Sequence, residues 1–146
     1  MNGELIMNEV EKPLSIENLM IGMIKTYEQT ISDADVEAFA SLSGDHNPVH
    51  LSDEYAKKSR FKKRIAHGML SASFFSALFG TKLPGYGCVY VSQSLNFRRP
   101  VYLGDTVKAT IEILRIDRDK SRVFFRTFCS VRGKTVIDGE AEIFIP

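Results

Sequence analysis

Almost no net charge and almost no cysteine are what this chain has least of. Its 146 residues carry 19 Lys and Arg against 18 Asp and Glu, so no surplus of one sign draws it onto nucleic acid or an anionic membrane surface. The two cysteines, Cys88 and Cys129, sit in apolar segments without paired-ligand spacing. That argues against a disulfide framework or a structural zinc site, and for reduced core thiols in a cytosol or an organelle matrix. No apolar run approaches the roughly 18 residues that a membrane span requires. Near the start, Glu4, Asn8, Glu9 and Glu11 interrupt Leu5, Ile6 and Met7, which is unlike a secretory signal. The expectation is a cytoplasmic protein with no nucleic-acid and no membrane partner.

The length suits one domain with its own core. Residues 1–17 read as an N-terminal arm, of which the first 13 show little core periodicity and form either a loose arm or an expression remnant. Residues 18–146 form the domain. An early strand is expected near Met23 to Thr30. Ser32 and Asp35 then make a capping pair, Val36, Phe39, Ala40 and Leu42 recur at helical spacing, and Gly44 is the natural stop. A second short helix starts near Ser52, with Asp53 and Glu54 in its first turn and Tyr55 and Ala56 facing inward. From His67 to Gly80 only serines 71, 73 and 76 interrupt the apolar residues, and a helix apolar nearly all round should be buried. Alternation over Val89 to Phe97 and β-rich runs near 106–115, 122–131 and 135–145 read as strands joined by polar turns. One buried helix and a run of antiparallel strands make an α+β fold, a sheet wrapped around a central helix. Such a sheet leaves an edge or a face uncovered, so a homodimer is the expected minimum.

The chemistry concentrates in Ser43-Gly44-Asp45-His46-Asn47-Pro48-Val49-His50. Gly44 and Pro48 prevent a helix from running straight through, so Asp45 and His50 are expected on irregular backbone. A neutral imidazole accepts a proton near pH 7 and a carboxylate holds water, so the pair suits adding or removing water. The competing reading is an Asx-type turn with a solvated histidine. Asn47 can brace the turn.

These residues resemble the (R)-specific enoyl-thioester hydratases and dehydratases of MaoC type. The matching positions are Phe39, Leu42, Ser43, Gly44, Asp45, Asn47, Pro48, Val49, His50 and Ala56, without departure, and the likeness extends to Ile65-Ala66-His67-Gly68-Met69-Leu70 and to Gln93 through Val101. It covers roughly residues 18 to 146. The resemblance implies a hot-dog fold and reversible (R)-specific hydration of trans-2-enoyl-CoA to (R)-3-hydroxyacyl-CoA in fatty-acid metabolism. Asp45 and His50 would be the catalytic pair, and the Gly68 N–H would be donor to the thioester oxygen. It also implies no metal and no cofactor, coenzyme A or phosphopantetheine being part of the acyl-thioester substrate. The alternative is a 3-hydroxyacyl-[acyl-carrier-protein] dehydratase, with an acidic carrier protein as partner. A hot-dog thioesterase lacks the Gly-Asp-x-Asn-Pro-x-His arrangement, and a binding-only module has no use for an intact acid and imidazole.

Further substrate-binding candidates are Asn47, His67, Ser73, Ser76, Arg64 and Arg98. His67 either touches substrate or positions the helix start. Ser73 and Ser76 either line an acyl tunnel or bond back to their own helix. Lys57, Lys58, Arg60, Lys62, Lys63 and Arg64, with Arg98 and Arg99, are either the phosphate-binding set or a solvated charge run. His46 is expected to face water. Acyl chain length, carrier, pathway and any oligomer beyond a dimer are outside what these residues specify.

Overall fold

The computed structural model describes residues 13–146. A 3-10 turn at Ile16–Asn18 leads to strand β1 (Ile24–Thr30), helix α1 (Asp33–Ser43), the short helices α2 (Pro48–Leu51) and α3 (Asp53–Lys58), and the long helix α4 (Gly68–Thr81). Strands β2 (Val89–Gln93), β3 (Asn96–Phe97), β4 (Thr106–Asp117), β5 (Arg122–Val131) and β6 (Lys134–Phe144) follow. They form one sheet in the order β1-β4-β5-β6-β2, with β3 also paired to β6, and every pairing is antiparallel. This is the expected α+β arrangement, a curled sheet packed on one long helix. Residues 1–12 of the N-terminal arm lie outside the described residues. From Pro13 to Glu17 the chain is tied down, since the Leu14 N–H donates to the Pro84 carbonyl at 2.8 Å and Leu14 and Ile16 pack against the core.

The core forms where the inward side of α4 meets the inward residues of β4 to β6. Phe75, Leu78 and Phe79 meet Ile111, Ile113, Phe125, Cys129 and Ile143, all essentially without exposure. Phe79 and Phe125 meet edge to face with centroids 4.7 Å apart, the arrangement that aromatic quadrupoles favour. Each such side chain contributes about 1.5–3 kcal/mol by leaving water.

Four sequence expectations change. His50 stands on regular backbone: residues 48–51 make a single helical turn with Pro48 at its first position and Asn47 as its cap, the Asn47 carboxamide oxygen accepting the Val49 N–H at 3.2 Å. In α3 Ala56 is buried but Tyr55 is 53% exposed, because a helix this short has only one inward position. Finally, α4 is not covered all round. Met69, Ser73, Ser76 and Ala77 fall at spacings of four, three and one on its outer side and are exposed in the single chain. The alternation read over Val89 to Phe97 is not expressed as burial either. Val89, Tyr90 and Val91 are all exposed on an edge strand that a bulge interrupts.

Candidate active site

The stop at Gly44 is what presents Asp45. Ser32 accepts the Asp35 N–H while the Asp35 carboxylate accepts the Ser32 N–H, a capping box that fixes where α1 begins. At the other end Gly44 adopts φ 83°, the left-handed conformation that glycine takes at no steric cost. The chain reverses, and the Asp45 carboxylate accepts the Asn47 N–H at 3.1 Å. Asn47 thus braces the turn from both of its sides, as backbone donor and as side-chain cap.

On the turn of α2, His50 is nearly buried. Its Nδ1 donates to the Ile65 carbonyl at 2.7 Å, which leaves Nε2 without a proton and able to accept one. That Nε2 stands 4.0 Å from the Asp45 carboxylate, with the two side chains 10% and 48% exposed. The gap is too long for a direct hydrogen bond and the right size for both atoms to grip one water. Burial pushes the His50 pKa below its ordinary value; the Ile65 carbonyl opposes this, His67 adds to it, and the Asp45 charge opposes it.

Gly68 opens α4, so its N–H has no acceptor within the helix. His50 and Gly68 line one cavity of about 330 Å³, whose wall also includes Phe61, Ile65 and Phe97, with Arg60, Arg98 and Arg99 among its polar residues. That size and mixture suit an acyl thioester group with a few fixed polar contacts. A Cβ at Gly68 would lie 2.5 Å from the Phe97 ring, so glycine is what lets that ring pack against the start of α4. Phe97 was missed from sequence, because nothing local reveals that β3 passes over the start of α4.

The remaining candidates separate. Arg64 is not a free phosphate ligand. Its Nε donates to the His50 carbonyl at 2.6 Å and its Nη2 pairs with Asp33 at 2.6 Å, and its side chain is only 12% exposed. Arg98 does line the cavity, but its guanidinium forks onto Asp138 at 3.1 and 3.2 Å and holds that carboxyl below its ordinary pKa, with help from Asn96. Ser73 bonds back to the Leu70 carbonyl at 2.5 Å, and both Ser73 and Ser76 face outward from α4, away from the cavity wall. His46 is exposed, its Nδ1 3.1 Å from the Gly44 carbonyl, as expected. His67 is buried behind the pair. Lys57, Lys62 and Lys63 line a separate hollow beside Tyr102.

Asp45, His50 and His67 bring donor atoms within 4.8 Å of one another. The two imidazoles are stacked, with centroids 3.9 Å apart and planes at 30°. His50 Nδ1 and His67 Nε2 are committed to the Ile65 and Asp45 carbonyls, which leaves His50 Nε2 and the Asp45 carboxylate facing each other. The geometry favours acid–base work on water.

Comparison with known proteins agrees with this construction. Residues 20–138 match the family model described as MaoC like domain. An (R)-specific enoyl-CoA hydratase of Rhodospirillum rubrum is 50% identical over 130 residues, spanning 89% of this chain and 90% of that protein. A 3-hydroxybutyryl-CoA dehydratase of Methylorubrum extorquens is 43% identical over 133 residues, 91% of this chain and 85% of its own length. Among solved structures, the unliganded R-hydratase PhaJ1 of Pseudomonas aeruginosa superposes with a TM-score of 0.87 at 45% identity, covering 92% of this chain and 86% of that one. The curled sheet on one helix is thus the hot-dog fold, and with the match running from before β1 into β6, the chain belongs to the MaoC-like domain family.

Proposed function

We propose that this chain is an (R)-specific enoyl-CoA hydratase, adding water to a trans-2-enoyl-CoA and, in reverse, dehydrating an (R)-3-hydroxyacyl-CoA. The observation that carries this is the Asp45 carboxylate and the unprotonated His50 Nε2 held 4.0 Å apart next to a cavity that His50 shares with Gly68. The thioester carbonyl lies against the Gly68 N–H, which polarises it and makes the β-carbon electrophilic. Water gripped by Asp45 and His50 attacks that carbon as its proton passes to the pair. Negative charge collects on the thioester oxygen, and a positioned backbone donor there contributes about 2.7–4 kcal/mol of transition-state stabilisation. The proton then returns to the α-carbon. Asp45 and His50 act as one coupled unit in these transfers. No cofactor is needed, because the thioester supplies the activation.

Turnover of a trans-2-enoyl-CoA panel from about four to twelve carbons, a range matched to small-molecule clefts, with chiral analysis of the product, tests the reading. (R)-3-hydroxyacyl-CoA is expected; hydrolysis to free acid, or an (S) product, would refute it. Matched rates on enoyl-CoA and on the same acyl group carried by acyl carrier protein decide the carrier. Arg60 and Arg99 stand at the cavity with His50, so replacing both with alanine should raise KM for the CoA substrate about tenfold at little cost in kcat, as loss of about 1.4 kcal/mol of uniform binding does. An unchanged KM would remove them from the site.

The sign of the pH dependence follows from His50. Hydration needs its neutral form, and burial lowers its pKa from 6.5, so kcat/KM should hold through neutral pH and fall only below that value. An acid limb with its midpoint above 6.5 would contradict the assignment.

The second partner is another copy of the same chain. The exposed face of α4 carries Met69, Ser73, Ser76 and Ala77, and the edge strand β2 exposes Val89, Tyr90 and Val91. Small side chains allow close approach of a second backbone, and the unpaired edge of β2 offers strand pairing. Light scattering should give twice the chain mass. The two reduced thiols suit a cytosol or organelle matrix, and among the described residues no helix is long and apolar enough to cross a membrane.

A further inference from the structure

His67 lies where substrate cannot reach it, at 2% exposure, and it caps nothing: it precedes α4 yet its side chain makes no bond to the first turn of that helix. Its ring is spent on the catalytic pair instead. Nε2 lies 3.0 Å from the Asp45 carbonyl, and since a carbonyl only accepts, Nε2 carries the proton. The flat of the ring stacks on His50 at 3.9 Å, and Phe39 closes its other side at 4.8 Å. Nδ1 is left buried with no hydrogen-bond partner. A residue wanted only for packing would be better served by phenylalanine, which has no nitrogen to strand, so the N–H to Asp45 is the reason an imidazole stands here.

We propose that His67 is a positioning residue for the hydratase, fixing Asp45 through its backbone carbonyl and His50 through its ring so that the two reach the same water. The proposal rests on the hydratase reading. A single side chain spanning both partners matters because their hold on each other is indirect: they are 4.0 Å apart and joined by no hydrogen bond. Without the bond from His67, the Asp45 carbonyl is free to turn, and the carboxylate three bonds further on moves with it. Without the ring, His50 loses the surface that holds it edge-on to Asp45. His67 beside it also adds to the lowering of the His50 pKa that burial begins, which helps keep His50 in its accepting form. The other charged groups facing His50 are the Asp45 carboxylate, Arg64 on its backbone carbonyl, and Arg60, Arg98 and Arg99 across the cavity.

Three substitutions in the full chain test this: His67→Ala removes both contacts, His67→Phe keeps a ring without the N–H, and His67→Gln keeps an N–H without the ring. Steady-state kinetics on a short trans-2-enoyl-CoA are read together with an NMR titration of the His50 ring. His67→Ala should lose about 100-fold in kcat with KM nearly unchanged, the size of loss that a misplacement of about 1 Å produces. His67→Gln should recover about tenfold of that loss by restoring a donor to Asp45, which a merely space-filling role would not do. In His67→Phe the His50 ring should titrate at higher pH than in the parent. The proposal is overturned if kcat in His67→Ala stays within about threefold of the parent, or if the loss falls on KM. It is equally overturned if the His50 titration is the same in all four proteins. Should the parent hydrate no enoyl thioester, the functional reading fails, and the His50 titration in His67→Phe alone decides whether His67 controls that ring.

Discussion

His50→Ala should lower kcat for a short trans-2-enoyl-CoA by about 1,000-fold, or about 4 kcal/mol, within the range that a positioned general base supplies. The size follows from how completely the structure has prepared this ring. Its Nδ1 is committed to the Ile65 carbonyl, its backbone carbonyl accepts from Arg64, and burial holds it in the neutral form. Alanine deletes the ring nitrogen that faces the Asp45 carboxylate and opens the spot to water that nothing orients. Asp45→Asn should cost a similar factor for a different reason. The amide keeps an oxygen for the Asn47 N–H and so keeps the turn, but it has no charge and accepts no proton. KM should move little in either variant, and the double variant should be scarcely worse than the single ones, because two groups working on one water act as a unit. Near-parental turnover in either single variant would remove the mechanism proposed above.

Gly139→Ala should have the largest effect on stability, about 3 kcal/mol or some 10 °C in Tm, at the upper end of overpacking costs. Gly139 lies on β6 opposite Thr127, and a Cβ there would stand 1.9 Å from the Ser94 carbonyl oxygen and 2.7 Å from its carbon. The obstacle is backbone, which cannot swing aside as a side-chain end would. It is also backbone that is pinned. The Ser94 N–H donates to the Glu140 carbonyl at 2.9 Å, the Glu140 N–H donates back to the Ser94 hydroxyl at 2.9 Å, and the Gln93 amide donates to the Ser94 carbonyl and to the buried Thr127 hydroxyl. Relief requires the link between β2 and β3 to lift off β6, and β3 carries Phe97 over Gly68. A Tm within about 2 °C of the parent, less than 1 kcal/mol for a chain of this length, would show that the strand yields cheaply. If it does lift, KM should rise as well, because Phe97 and Arg98 leave the cavity wall.

Where a feature depended on neighbours in the chain, it was legible. The pairing of Ser32 with Asp35 and the left-handed Gly44 are local chemistry, and they bound α1 and place Asp45 at its end. The apolar run after His67 is α4, and the β-rich runs after residue 105 are β4, β5 and β6. Asn47 and Pro48 were read as turn residues when together they start one helical turn, because a cap and a turn use the same side-chain bond to a following N–H. Alternatives stay open in the sequence where a side chain's surroundings are set by tertiary packing. Arg64 looks like its basic neighbours until Asp33 and the His50 carbonyl are seen beside it. Ser73 and Ser76 look like tunnel residues until α4 is rotated by the packing of Phe75 and Phe79, which turns both serines outward.

By itself, then, the sequence determined the family, the α+β order of elements and the identity of the acid, the imidazole and the glycine that meet at the site, because caps, turns and a contiguous motif are encoded by residues a few positions apart. Only the tertiary structure decided that His50 Nε2 is the free nitrogen, that Arg64 is held by Asp33 and the His50 carbonyl, that His67 lies between the Asp45 carbonyl and the His50 ring, and that Phe97 covers Gly68. Those facts depend on which distant atoms come within about 3 Å, the reach of a hydrogen bond, and that is set by how the sheet closes on α4.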